Sequence, residues 1–68
     1  MIRFELKKAR GERKQRDVAK EMGINQRTLS KIEIGKTNPS AKLLAIMLKY
    51  YNKSAEELFP DIFLQQKN

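Results

Sequence analysis

The stretch "QRDVAKEMGINQRTLSKIEI", residues 15–34, carries two apolar patterns of helical period on either side of one glycine. Val18, Ala19 and Met22 recur at helical spacing before Gly23, and Leu29 and Ile32 do so after it. This spacing predicts one helix over about residues 15–22 and a second over about 26–33, the second opened by Asn25 as N-cap. Counting Gln15 as the first position, Ala19 is fifth, Gly23 ninth, Leu29 fifteenth and Ile32 eighteenth. Each residue type has a physical reason at its place. Ala19 lets two helices cross closely, Gly23 can take a positive φ in a tight turn, and Leu29 and Ile32 anchor the second helix to a core.

Projected down the axis of an ideal α-helix, Thr28, Leu29 and Ile32 fall on one side of the second helix. Gln26, Arg27, Ser30 and Lys31 fall on the other. If the apolar group packs inward, Gln26, Arg27, Ser30 and Lys31 must point outward. Most surface helices have such a polar side, so the face alone decides little. The four spaced positions within twenty residues decide more, and they define a helix-turn-helix.

Outward from this pair, "IRFELKKAR" places Ile2, Leu6 and Ala9 on one stripe with Phe4 at its flank, and Gly11 supplies a stop, giving a helix over roughly 2–10. "GKTNPSAK" reads as a loop, after which Ser40 caps an apolar helix over 41–51 whose buried face is Leu43, Leu44, Met47, Leu48 and Tyr51. "SAEEL" is a capping box, Ser54 with Glu57, opening a short fifth helix that ends by Pro60. No convincing β alternation appears, so the expected class is all-α. The 68 residues are read as one domain with a core over about 2–59 and a C-terminal tail over 60–68.

Composition narrows the function. The chain has no Cys, His or Trp, which excludes disulfides, thiolate metal sites, a Cys nucleophile and a His base. It has no glycine-rich nucleotide motif and no carboxylate cluster at metal-ligand spacing, so no enzyme activity, cofactor or metal is expected. The longest apolar-rich run, "AKLLAIMLKYY", is too short to span a membrane, and "MIRFELKKAR" lacks the apolar core of a signal peptide, so the expected location is the cytoplasm. Net charge is +7, distributed unevenly. Residues 1–36 hold eleven Lys/Arg against five Asp/Glu, a net of +6, whereas residues 37–68 hold four against three. Solubility needs no such asymmetry. A polyanion such as DNA or RNA rewards it, because each neutralised phosphate releases a counterion. RNA is the weaker choice, since the aromatics that would stack on bases lie outside residues 15–34, in the fourth helix and near the chain ends.

From Leu6 to Leu58 the chain resembles a phage-repressor-type domain, Cro/cI-like or XRE-type, a compact lambda-repressor-like bundle of five helices. The resemblance is carried by Gln15 opening the second helix, "VAKEMGI", Glu33 and Gly35 in "IEIGKTNPS", the apolar fourth helix and the Ser54 to Leu58 start of the fifth. The join "RGERKQ" is shorter than the common form of the family, and Ile34 stands where a polar residue is usual. What the resemblance implies is sequence-specific binding of double-stranded DNA by a small transcriptional regulator, most often a repressor at an operator.

Residue by residue, it implies that Gln26, Arg27, Ser30 and Lys31 reach base edges in the major groove. Gln suits adenine, Arg or Lys suits guanine, and a serine hydroxyl serves either. Gln15 and Asn25 would bind phosphates from helix N-termini, and Lys36, Thr37 and Asn38 would hold a further phosphate cluster. Arg13, Lys14 and Arg16 would add sequence-independent attraction to the backbone. Arg10 and Glu33 would form a structural ion pair fixing the angle of the recognition helix.

The segment "ELFPDIFLQQKN" is more apolar than the end of a small bundle needs. Phe63, with Ile62 or Leu64, is therefore expected to contribute to a homodimer contact that lets two recognition helices face successive major grooves of a palindromic operator. The competing expectation is a protein-interaction role, as in a DNA-binding antitoxin or a restriction-modification control protein, where a second protein binds the same fold.

Overall fold

The computed structural model describes residues 1–63, and these fold as six helices. They are α1 (Phe4–Arg10), α2 (Gln15–Met22), α3 (Gln26–Glu33), α4 (Ala41–Tyr51), α5 (Ala55–Leu58) and α6 (Pro60–Phe63). Among the described residues no helix is long and apolar enough to cross a membrane. The bounds of α2, α3 and α4 are those their apolar periods predict. Leu64, expected at a dimer contact, lies outside the described residues.

α2 packs on α3, α1 on α3 and α5, and α4 on α2 and α5. Their shared core is a contiguous cluster. Leu6 comes from α1, Val18, Ala19 and Met22 from α2, Leu29 and Ile32 from α3, and Leu43, Met47 and Tyr51 from α4. Leu58 and Phe59 close it from the C-terminal side. A chain this short buries only about 60% of its unfolded surface, so these few side chains carry most of the hydrophobic stabilisation.

Caps set the helix ends. Asn25 accepts a hydrogen bond from Thr28 N–H at 2.9 Å, and Ser40 accepts one from Leu43 N–H at 3.2 Å. The capping box of α5 is reciprocal: Ser54 Oγ accepts from Glu57 N–H at 3.1 Å, and Glu57 Oε1 accepts from Ser54 N–H at 2.8 Å. At Gly23, φ is +81°, the left-handed conformation that turns the chain between α2 and α3. Asn52 takes the same conformation after α4, with φ of 56°, as asparagine does more readily than other side-chain-bearing residues.

Two expectations change. The first helix begins at Phe4, not Ile2, and Ile2 is 42% exposed instead of lining the core. Arg3 takes the inward position beside it, 4% exposed, because its guanidinium finds carboxylate and carbonyl partners that an isoleucine could not use. The second change is α6. Pro60 ends α5 as expected, but it also starts a new turn, since its missing N–H is no loss at the first helical position and its fixed φ suits a helix. Ile62 consequently packs half-buried against the core, leaving Phe63 as the exposed apolar residue of that turn, at 39%.

Tyr51 supplies a pH signature of this core. Burial, reinforced by the negative charge of Glu33, pushes its phenol from 10.0 up to about 12. The unfolded chain ionises Tyr51 at its ordinary value while the folded chain holds the proton, so this contribution is intact below about pH 10 and lost as pH rises towards 12. Urea midpoints measured on both sides of about pH 10 are expected to fall more for wild type than for Tyr51→Phe. An equal fall would show that the phenol is solvated in the folded state.

Candidate nucleic-acid interface

The outward side of α3 is set by Leu29 and Ile32, both sealed in the core, so Gln26, Arg27, Ser30 and Lys31 line one open concave surface. A second shallow surface, lined by Lys14, Gln15, Arg16 and Gln26, begins where the first stops. Gln26 belongs to both, and together they form a strip along α3 and the N-terminal turn of α2. The cations Lys14, Arg16, Arg27 and Lys31 line this strip, with no carboxylate among its lining residues. Two helix N-termini open at it, adding partial positive charge. Such a surface donates hydrogen bonds and attracts anions along its length.

A buried network holds the strip in place. Arg10 grips Glu33 with Nε to Oε2 at 2.8 Å and Nη2 to Oε1 at 3.1 Å. Glu33 is 1% exposed at the end of α3, and Arg10 projects from α1, so the pair locks one helix against the other. Donating to the Glu33 carboxylate raises the Arg10 guanidinium above its ordinary value. Gln15 adds a third donor to Glu33, Nε2 to Oε1 at 2.8 Å, while its own Oε1 accepts from Gln26 Nε2 at 3.3 Å. Its side-chain amide thus orients Gln26, a link that the resemblance did not imply for a phosphate ligand.

Other expected residues fall as follows. Asn25 is exposed, with Oδ1 bound to Thr28 N–H and to Thr28 Oγ at 3.0 Å. Lys36, Thr37 and Asn38 are exposed in the loop after α3, where the N–H groups of Lys36 and Thr37 both donate to Lys31 O, at 2.9 and 3.3 Å. Arg13 is spoken for: it donates to Ala9 O and Arg10 O, closing α1, and to Tyr50 Oη at 3.0 Å, with its guanidinium 5.3 Å from the Tyr50 ring centre. Tyr50 in turn donates to Glu21. Ile34 is exposed, as are Met1, Ile2 and Phe4.

Arg3, 4% exposed, joins these residues. Its side chain meets Ile32 O, Thr37 O, Asn38 Oδ1 and the Asp61 carboxylate, and its N–H donates to Glu33 O at 2.8 Å. A charged residue in front of a helix adds nothing to an apolar period, and two of its partners are backbone carbonyls, so no pattern announced it.

An all-helical bundle in which a short helix pair presents a cationic, donor-rich face is the architecture of a helix-turn-helix protein. A family described as helix-turn-helix matches residues 6–58, and the chain belongs to this Cro/C1-type (XRE) family of DNA-binding regulators. A relative from Methanocaldococcus jannaschii, named an uncharacterized HTH-type transcriptional regulator, is 38% identical over 45 residues, covering 66% of this chain and 68% of that one. No solved structure matches.

Proposed function

We propose that the protein is a sequence-specific double-stranded DNA-binding regulator that inserts α3 into the major groove and represses transcription by occupying an operator that overlaps a promoter. The observation that carries this reading is the strip itself, cationic and free of carboxylates, with base-reading side-chain types on its α3 half and the N-terminal turn of α2 beside them. Arg27 and Lys31 suit guanine O6 and N7, Gln26 suits adenine, and Ser30 accepts either. Asn25, Gln15, Arg16 and the loop Lys36 to Asn38 serve the phosphates, fixing register without reading sequence. The link from Gln26 to Gln15 supports this division, because it presets the amide before a base arrives.

The reading includes a homodimer on DNA. Phe63 is the residue of α6 offered to a second copy, with Ile62 contributing mainly from within the core. Two-fold pairing would set half-sites about 34–36 Å apart.

Selection from a random duplex library at two salt concentrations, wild type beside Arg27→Ala, tests both parts. Wild type is expected to enrich a palindrome, and Arg27→Ala to lose preference at one base per half-site at a cost of about 1–3 kcal/mol. Enrichment of a single non-repeated site would remove the dimer and keep the rest. Equal binding of every duplex by both proteins would overturn base reading.

A further inference from the structure

Arg3 is the most completely engaged cation among the described residues. Its Nε donates to Asp61 at 3.1 and 3.3 Å, Nη1 to Ile32 O and Thr37 O at 2.9 Å each, and Nη2 to Asn38 Oδ1 and to Asp61 Oδ2, the last at 3.0 Å. The guanidinium lies 5.2 Å from the ring centre of Phe59. Burying a cation is unfavourable unless it is paired and hydrogen-bonded, and an apolar side chain of similar volume often stabilises as well. Stability alone does not call for an arginine here. What the fork adds is geometry, because most of its partners belong to the end of α3 and the loop that follows.

We propose that Arg3 is the positioning residue for the loop Lys36 to Asn38: it caps the C-terminal carbonyls of α3, ties down Thr37 and Asn38, and is itself fixed by Asp61 on α6. Ile32 O, which also accepts from Gly35 N–H at 3.1 Å, and Glu33 O, which accepts from the Arg3 backbone N–H, are carbonyls of the last turn of α3, and the guanidinium beside Ile32 O also complements the helix dipole. Asn25 therefore fixes the first turn of α3 and Arg3 the last. The Asn38 side-chain oxygen is turned towards Arg3, which leaves its NH2 group as the donor for a phosphate. This role rests on the DNA-binding reading of the loop, and it extends that reading to α6: the segment bearing Phe63 reaches the phosphate-facing loop through one ion pair.

Arg3→Lys and Asp61→Asn separate positioning from charge. Lysine keeps the cation but has no fork, whereas Asp61→Asn makes the protein more positive, so simple attraction to DNA would tighten binding in that variant. Two measurements are made on each protein: hydrogen exchange at the Lys36 and Thr37 amides, and affinity across a salt series for the duplex selected by wild type. Exchange at both loop amides is expected to rise about tenfold while the core amides of α2 stay protected, as local loosening requires. Affinity is expected to fall about tenfold in both variants, against the electrostatic trend for Asp61→Asn. A purely structural role would lower the urea midpoint and leave the affinity of the folded protein unchanged, and that result would overturn the proposal. So would loop exchange and affinity both within about twofold of wild type. Should Arg3→Lys fail to fold, Asp61→Asn decides. If wild type selects no duplex, the DNA reading falls, and loop exchange alone then decides whether Arg3 positions the loop.

Discussion

Arg10→Ala is expected to lower the free energy of unfolding by about 3–5 kcal/mol, seen as a large drop in the urea midpoint with little change in slope. The reason lies with the partner left behind. Glu33 is sealed from water and accepts from Arg10 twice and from Gln15 once, so removal of Arg10 leaves a buried carboxylate with one neutral donor. Small domains have only about 5–15 kcal/mol in total, so a large fraction of the variant would be unfolded. Arg10→Met combined with Glu33→Met should recover much of the loss, because the apolar pair removes the desolvation cost of both charges. An unchanged midpoint in Arg10→Ala would mean that Glu33 is solvated and that the pair does not set the angle of α3.

The second large effect is at Gly35. Its φ of +78° disfavours any side chain, and a Cβ there would overlap the carbonyl oxygen of Met1, which passes directly against it. Gly35→Ala is expected to cost about 2–5 kcal/mol, combining left-handed strain with a forced shift of backbone. Gly23→Ala is the comparison, since φ is +81° there but nothing lies within 4 Å of the added carbon, and about 1–2 kcal/mol is expected. Equal losses at the two glycines, read from urea melts, would show that the N-terminal segment does not press on Gly35.

These two positions also show what was legible in the sequence and what was not. α2, α3 and α4 were readable because each announces itself twice, by an apolar period and by a residue with special backbone chemistry at its end, as Gly23, Asn25 and Ser40 do. The outward set Gln26, Arg27, Ser30 and Lys31 followed by subtraction once Leu29 and Ile32 were assigned inward. A stripe of three apolar residues cannot say where a helix starts, so Ile2 reads as helical although the chain ahead of Phe4 runs past Gly35 without helical turns. Pro60 can stop a helix or begin one, and nothing in its sequence surroundings announces that here it does both. Arg3 and the second bond of Gln15 lay beyond reach for a common reason: their partners are far off in sequence, and several are backbone atoms common to every residue.

The meeting of Arg3 with Asp61, 58 positions apart in the chain, has a topological consequence. It brings the first and last described turns of the fold side by side, so the path of the backbone is close to a closed ring. In a ring the order of the pieces and the place of the opening are separable properties. The helix pair spanning Gln15 to Glu33 must stay continuous, because its short turn sets the crossing of the two helices, but an opening can lie elsewhere along the ring. An opening at the exposed Gly11 and Glu12, with a linker across the Arg3 and Asp61 side, would keep every described helix intact and place the opening in the turn ahead of α2.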